Sequence, residues 1–159
     1  MENLSNYPKL KEEALVYYNN IGSVFSTAFQ QNVTFTSEGF NHIIFTNSRS
    51  ERERLSQIAR FKLLPLAKKL VELSTTYQET EDLIQEFIIK KHKKKIKTNR
   101  LVKYWGIIAI INNYKIKVIL RKIGDSGNLH FWSIIPAWTT NKYRDTKFLT
   151  TMKGRPEED

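Results

Sequence analysis

The chain has no cysteine, and this absence excludes several kinds of chemistry at once. Without thiols there is no disulfide, no thiolate metal ligand and no cysteine nucleophile. Histidine is also scarce, because His42, His92 and His130 lie far apart and form no HxH or HExxH pair. A zinc site is therefore not expected. We expect a protein that works without a metal ion or another cofactor.

Long apolar segments are missing as well. The longest apolar run, Gly106 to Ile111, is far too short to cross a bilayer. The first residues, MENLSNYPKLKEEA, lack the charged-then-apolar order of a signal peptide. These absences predict a cytoplasmic protein that has no membrane partner.

Positive charge is abundant. The 159 residues carry a formal net charge of +10 and give a sequence pI near 9.7. A field of this sign attracts phosphate polymers. The 40% apolar content is typical of a globular chain, and the length suits one domain. We expect one folded domain over residues 1–150, a flexible tail over residues 151–159, and nucleic acid as the partner, RNA in preference to DNA.

Apolar residues at three- and four-residue steps predict two long helices. The first runs from Pro8 to about Gln30, with the proline in its first turn. The second runs from about Glu51 to Leu73, and Ser50 with Glu53 fits a capping box at its start. Pro65 lies inside this second helix, so we expect a kink or two shorter helices there. The segment between the helices, which includes Phe40 to Phe45, has the composition of strands.

From Leu83 onward the pattern is that of a β-meander. The predicted strands are Val102 to Ile111, Tyr114 to Ile123 and Leu129 to Pro136. Asn112-Asn113 predicts a two-residue hairpin turn, because asparagine tolerates positive φ, and the basic cluster Lys90 to Lys95 is typical of a hairpin tip. The predicted fold class is α+β, with N-terminal helices packed on a three- to four-stranded antiparallel β-meander.

Pairing these strands through their turns separates an apolar face from a basic one. The expected core face collects Trp105, Ile107, Ala109, Ile116, Val118, Leu120, Trp132 and Ile134. The other face mixes aromatics with cations, which suits RNA because bases stack on rings while Lys and Arg hold phosphates. The same alternation also keeps an exposed strand soluble. The predicted nucleic-acid-binding residues are Tyr104, Lys117 and Arg121 on the sheet and Lys142, Arg144 and Lys147 after it.

Several residues have the chemistry that phosphodiester cleavage requires. Without a metal, cleavage needs a base for the ribose 2′-OH, an acid for the leaving oxygen and cations on the phosphate. Histidine titrates near neutrality, and arginine binds phosphate in bidentate fashion. The predicted catalytic residues are His42, Arg52, Arg60, His130 and Ser133. The structural alternatives are a hydrogen-bonded His42 at a strand end and a core His130 between tryptophans.

Three segments carry a family resemblance: Gly39-Phe-Asn-His-Ile-Ile-Phe45, Arg60-Phe-Lys-Leu-Leu-Pro65 and His130-Phe-Trp-Ser-Ile-Ile-Pro136. In these the chain resembles the phage-associated branch of the barnase–EndoU–colicin–RelE nuclease superfamily. The resemblance implies helices followed by a four-stranded antiparallel sheet, and metal-independent cleavage of RNA by a toxin or phage-borne effector. It also allows an acidic inhibitor protein as a partner.

The resemblance further implies roles for individual residues. The family's histidine after an early strand maps to His42, its basic helix residue to Arg52 or Arg60, and its polar residue on a late strand to His130 or Ser133. The chain departs from the family in having no obvious acidic base on a strand. The base role is then left to His42 or His130.

The leading hypothesis is a ribonuclease that yields a 2′,3′-cyclic phosphate. In this hypothesis His42 and His130 share the acid and base roles, and Arg52, Arg60 or Arg121 stabilises the charge on phosphorus. The alternative is a non-catalytic RNA- or DNA-binding module of a phage or mobile element. A third reading is a structural or partner-binding protein whose charge serves solubility alone.

Overall fold

The computed structural model describes residues 4–140 and 145–147. In this part of the chain, a short 3-10 turn, Leu4–Asn6, precedes three α-helices: α1, Tyr7–Ile21; α2, Ser37–Ile44; and α3, Arg54–Leu73. The strands are β1, Ser23–Ser26; β2, Gln31–Thr34; β3, Glu79–Lys91; β4, Lys94–Ile111; β5, Tyr114–Ile123; β6, His130–Thr140; and β7, Asp145–Lys147. The predicted α+β class is confirmed.

The sheet is larger than the predicted meander, and it is mixed. Its strand order is β1-β2-β6-β5-β4-β3, and β7 also pairs with β6. Strands β3 to β6 form an antiparallel meander, as expected. The β1–β2 hairpin was not predicted, and it joins the sheet through a parallel contact in which Thr34 lies opposite His130. The prediction of a purely antiparallel sheet is therefore wrong.

The first helix is shorter than predicted. It ends at Ile21, and Gly22 follows with φ of +65°, a conformation that glycine adopts without a Cβ penalty. Beyond it, Val24 and Ser26 are buried while their neighbours are exposed, which is the period of a strand. Phe25 and Ala28 follow Ile21 at steps of four and three residues, which extends the helical spacing by coincidence. For this reason the predicted helix ran on to about Gln30.

The predicted capping box of Ser50 and Glu53 does not form at the start of the third helix. The helix begins at Arg54, and Glu53 at the N-cap makes no side-chain cap hydrogen bond. Ser50 instead belongs to the preceding turn, where its backbone N–H donates to Thr46 Oγ1 and its carbonyl oxygen accepts from the N–H of Thr46. Pro65 lies within one continuous helix rather than between two.

The predicted two-residue turn at Asn112-Asn113 and the predicted hairpin tip in the lysine cluster are both present. His92 and Lys93 join β3 to β4 with φ values of +51° and +62°, and Asn112 and Asn113 join β4 to β5 with +49° and +67°. Positive φ at both central positions matches the right-handed twist of the flanking strands. The lysine cluster is therefore a hairpin tip, as predicted.

Two apolar clusters lie on opposite faces of the sheet. The larger one joins the helices to Ile107, Ile116, Val118, Leu120 and Ile134, as predicted. Trp132 belongs to the other cluster, with Val102, Tyr104, Ile119 and Ile135, so its predicted place in the helix-side core is wrong. The cause is a register shift between Ile119 and Leu120, which pair with Ser133 and Phe131 and leave Trp132 between the two pairs.

Among the residues that the structure describes, no helix combines the length and the apolarity that crossing a membrane requires.

Candidate nucleic-acid site

The site is built around α2, a helix in a segment that was predicted to be a strand. Thr36 precedes it in extended conformation, and Phe40, Ile43 and Ile44 enter the core. A short apolar run does not by itself distinguish a buried helix from a strand. Because Glu38 and His42 are four residues apart on a helix, they lie on the same side. The expected strand at Phe40 to Phe45 is wrong.

Gly39 allows α2 to lie directly on β6. A Cβ on Gly39 would stand 2.5 Å from the carbonyl oxygen of Phe131 and 2.5 Å from the hydroxyl of Tyr18. No larger residue fits there unless the helix moves away from the strand. This close approach brings His42 against Trp132, with ring centroids 4.1 Å apart and 19° between the planes.

His42 is buried among cations. It is 4% exposed, its Nε2 accepts from Arg52 Nη2 at 3.2 Å, and its carbonyl oxygen accepts from Arg52 Nε at 2.9 Å. Burial lowers the pKa of His42 to about 3, and Arg52, Arg60 and Arg121 act in the same direction. The imidazole is therefore neutral at pH 7, with Nε2 as its accepting nitrogen and the ring proton on Nδ1, so it is not an acid in the free protein.

Arg121 is at the centre of the site. Its guanidinium carbon lies 3.7 Å from the ring centroid of Trp132, a cation–π contact. Its Nε donates to His130 Nε2 at 2.7 Å, and its Nη2 forms an ion pair with Glu38. The side chain of Glu38 is 62% exposed whereas that of Arg121 is 7% exposed, so the pair lies between the interior and the solvent.

His130 has both ring nitrogens engaged. Its Nδ1 lies 3.1 Å from the carbonyl oxygen of Asn128, which can only accept, so Nδ1 carries the proton and Nε2 accepts from Arg121. Burial lowers the pKa of His130, and Arg121 lowers it further. His130 is thus a neutral residue that orients Arg121, which does not fit the predicted acid role.

Two cavities flank this cluster, and Glu38 borders both. The first has a volume of about 480 Å³ and is lined by Glu38, Asn41, His42, Phe45, Thr46, Asn47, Arg49, Phe87, Arg121 and Trp132. The second, of about 390 Å³, is lined by polar residues that include Thr36, Arg100, Ser126, Asn128 and His130. A further cavity of about 360 Å³ shares Phe87, Arg121 and Trp132 with the first and continues toward Gln85 on β3.

Arg60 and Ser133 lie together, but behind the site. Arg60 Nη1 donates to Ser133 Oγ at 2.9 Å and to the carbonyl oxygen of Ile134 at 3.0 Å. Arg60 is 4% exposed and Ser133 0%, and neither lines the cavities described above. These contacts join α3 to β6, so a catalytic role for this pair does not fit its position. Arg52 precedes α3, so it is not on the helix in which the resemblance expected it.

Two predicted contact residues on the sheet are buried. Tyr104 is 1% exposed, and its hydroxyl donates to Gln85 Oε1 at 3.0 Å. Lys117 is 0% exposed, and its Nζ lies 3.1 Å from Glu79 Oε2. An open basic face was therefore the wrong expectation for these two residues. Arg121 lies on the same face and does reach a cavity.

The other predicted nucleic-acid-binding residues come after the meander in the sequence. Lys142 and Arg144 lie outside the described residues, as does the tail over residues 151–159. Lys147 is in β7, opposite Trp138.

Sequence reasoning missed Glu38, Trp132 and Phe87. Glu38 was missed because an extended chain, as expected for this segment, would place it roughly 13 Å from His42. The available signal was Thr36 followed by Ser37 and Glu38, a hydroxyl residue with an acid in the next helical turn.

Within the described part of the chain, no group of three or more His, Asp or Glu residues is placed to hold a metal ion.

Comparison with known proteins adds no relative. No protein-family model, curated protein or solved structure matches this chain.

Proposed function

We propose that this protein is a ribonuclease that cleaves RNA through attack by the ribose 2′-OH and leaves a 2′,3′-cyclic phosphate. The observation that supports this proposal is the convergence of Glu38, His42 and Arg121 on one cavity bounded by aromatic side chains. The three residues come from α2 and β5, so the fold brings a carboxylate, an imidazole and a guanidinium to one cavity.

Arg121 is the proposed phosphate ligand. Its guanidinium is held on three sides by Trp132, His130 and Glu38, so it loses little conformational freedom when an anion binds. A bidentate arginine suits the charge that develops on phosphorus during attack. Arg49 lines the same cavity, is exposed and supplies a second cation.

His42 is the proposed base. In the free protein its Nε2 accepts from Arg52 Nη2; when Arg52 turns to the phosphate of bound RNA, Nε2 takes the proton of the 2′-OH as the hydroxyl attacks. The imidazole then returns this proton, through water, to the 5′-oxygen that leaves phosphorus, so His42 ends the step neutral. Burial is the larger cause of the low pKa of His42 and persists in the complex, whereas a bound phosphate offsets the part that comes from Arg52, Arg60 and Arg121. Glu38 is the other proton acceptor on the cavity wall.

Aromatic side chains supply the proposed nucleobase contacts. Both His42 and Arg121 pack against Trp132, which leaves it 8% exposed. Phe45, which is 41% exposed, and Phe87 also line this cavity. Bases of any identity stack on such rings. We call the first cavity, which is lined by Phe45, Phe87 and Trp132, the aromatic cavity, and the second, which is lined by Asn128 and His130, the polar cavity. We therefore propose that one nucleotide binds in the aromatic cavity and that its neighbour lies toward the polar cavity, on the other side of Glu38.

A second candidate function is RNA binding without cleavage. The low pKa of both His42 and His130 favours it, because neither histidine is protonated near neutral pH to protonate a leaving oxygen. The same cavities and cations would then bind RNA without turnover.

A single 2′-deoxy substitution separates the two candidates. An RNA of about 12 nucleotides carrying one 2′-deoxynucleotide is incubated with the protein beside the all-ribose RNA. The ribonuclease proposal predicts cuts at every susceptible step except the substituted one, each leaving a cyclic phosphate. Retarded but intact RNA in both samples would support the binding module, and cleavage at the deoxy position would exclude 2′-OH attack.

A further inference from the structure

The β3–β4 hairpin extends beyond the rest of the sheet. Strand β5 pairs with β4 from Val102 to Ile111, whereas residues 94–100 pair only with β3 within the described residues. Residues 85–100 therefore form a two-stranded ribbon, roughly 20 Å long, that turns at His92 and Lys93. We refer to residues 85–100 as the ribbon.

Most of the protein's excess charge is on this ribbon. Residues 85–100 contain seven Lys or Arg and one Glu, a formal charge of +6 out of +10 for the whole chain. The single acid, Glu86, lies 3.8 Å from Lys97 Nζ, and both side chains are more than half exposed. An exposed pair of this kind contributes little to stability.

The arrangement of the lysines is unfavourable for folding alone. Lys90 lies directly opposite Lys95, and Lys91 directly opposite Lys94. Like charges at directly opposed positions repel and destabilise a strand pair. Because side chains alternate along a strand, the two pairs point to opposite faces of the ribbon. A bound polyanion would relieve the repulsion on both faces.

The root of the ribbon reaches the candidate site. Phe87 lines the aromatic cavity, Gln85 lines the cavity that continues from it, and Arg100 lines the polar cavity. A nucleic acid strand that leaves these cavities along β3 and β4 meets the exposed lysines within a few nucleotides. On the face of the ribbon that carries Phe87, Ile96 lies opposite Ile89 and is 40% exposed, which gives the sugar and base of a strand an apolar contact.

We propose that the ribbon is an RNA-binding arm that holds the phosphate backbone of the substrate beyond the nucleotides in the site. This inference rests on the proposed function, and it identifies the substrate as an RNA long enough to contact both cavity and ribbon. RNA is the occupant favoured over an acidic protein, since one continuous polymer accounts for the aromatic cavity and for the distant cations together.

A charge-matched pair of triple variants tests the proposal. The ribbon variant is Lys91→Gln/Lys94→Gln/Lys95→Gln. Its control, Lys9→Gln/Lys68→Gln/Lys69→Gln, removes the same charge from α1 and α3. Binding of a labelled 20-nucleotide RNA is measured by fluorescence anisotropy at several salt concentrations.

The ribbon variant is expected to lower affinity at least tenfold and to reduce the slope of log affinity against log salt by about two, since each lost phosphate contact on a single strand removes roughly 0.7. The control is expected to change affinity less than twofold. An unchanged slope in the ribbon variant, or an equal loss in both variants, overturns the proposal.

Two further measurements separate this proposal from misfolding and from the proposed function. Without RNA, the ribbon variant should melt at a higher temperature than the wild type, because the opposed lysines no longer repel; a large decrease would mean that the binding loss reflects damage. A trinucleotide, too short to extend from the cavities to Lys91, Lys94 and Lys95, should be cleaved equally by both proteins. If neither protein cleaves any RNA, the ribonuclease proposal fails while the salt slope still decides the role of the ribbon.

Discussion

Arg121 donates from Nε to Nε2 of His130 across 2.7 Å, and this contact defines the role of each residue. A guanidinium is only a donor, so His130 must accept with Nε2 and carry its proton on Nδ1. The proton on Nδ1 is in turn directed at the carbonyl oxygen of Asn128. His130 therefore positions Arg121, and Arg121 faces the cavity.

Replacing His130 tests this positioning role. His130→Gln keeps an acceptor for Arg121 and should retain cleavage within about tenfold of wild type, less than the roughly 100-fold or greater loss typical of a removed acid or base. His130→Ala leaves Arg121 without that acceptor and should raise KM more than it lowers kcat. Both are followed by kcat and KM across pH. A kcat–pH profile that loses one limb in His130→Gln would show that His130 transfers protons after all.

A comparison of His42→Ala with Glu38→Gln assigns the base. If His42 takes the proton, His42→Ala should lower kcat by about 100-fold or more. Glu38→Gln should then lower kcat less than tenfold and tighten RNA binding, because it removes a negative charge beside Arg121. Single-turnover cleavage and equilibrium binding measure the two effects. The opposite ranking of the kcat losses would transfer the base role to Glu38.

The low pKa of His42 predicts a loss of stability in mild acid. The unfolded chain takes up a proton near pH 6.5, but the folded chain resists it until about pH 3. The stabilisation is thus fully present above pH 6.5 and decreases as the pH falls toward 3, by up to about 1.4 kcal/mol per pH unit. Urea unfolding at pH 7, 6 and 5 measures this slope. It should be shallower in His42→Gln than in the wild type; equal slopes in the two proteins would contradict the burial of His42.

The buried Arg60–Ser133 pair should affect stability and not RNA. Ser133→Ala removes the acceptor of Arg60 Nη1 within the core and should lower the free energy of unfolding by about 1–3 kcal/mol. Ser48→Ala, in the exposed turn before α3, is the control and should change it by less than about 0.5 kcal/mol. Urea unfolding and RNA titration on the same preparations test this. A weakened RNA complex at unchanged stability would return Ser133 to the site.

The sequence predicted local features well where turn chemistry or strand alternation determined them. Asn112-Asn113 and the lysine-rich tip are turns, and Tyr114–Ile123 is a strand with the predicted bounds. The sequence-based prediction was wrong where one local feature interrupted a regular pattern. Gly22 ends α1 within a run of helical spacing, and the register shift beside Leu120 moves Trp132 to the other face of the sheet.

The candidate site was predicted only in part. His42, Arg52, Arg121 and His130 were identified by residue type, and the structure does bring them together. Their roles could not be read from the sequence, because whether a histidine exchanges protons depends on burial and on the partner of each ring nitrogen. The place of Glu38 in the site follows from the structure, in which Ser37–Ile44 is a helix that carries Glu38 and His42 on the same side.

The most direct measurement is the incubation of purified protein with labelled RNA in EDTA, with His42→Ala and His92→Ala beside the wild type. The ribonuclease proposal predicts that the wild type and His92→Ala cleave the RNA to products with cyclic phosphate ends, and that His42→Ala cleaves at least about 100-fold more slowly. RNA that stays intact with the wild-type protein in many-fold excess, or is cleaved equally fast by His42→Ala, would contradict it.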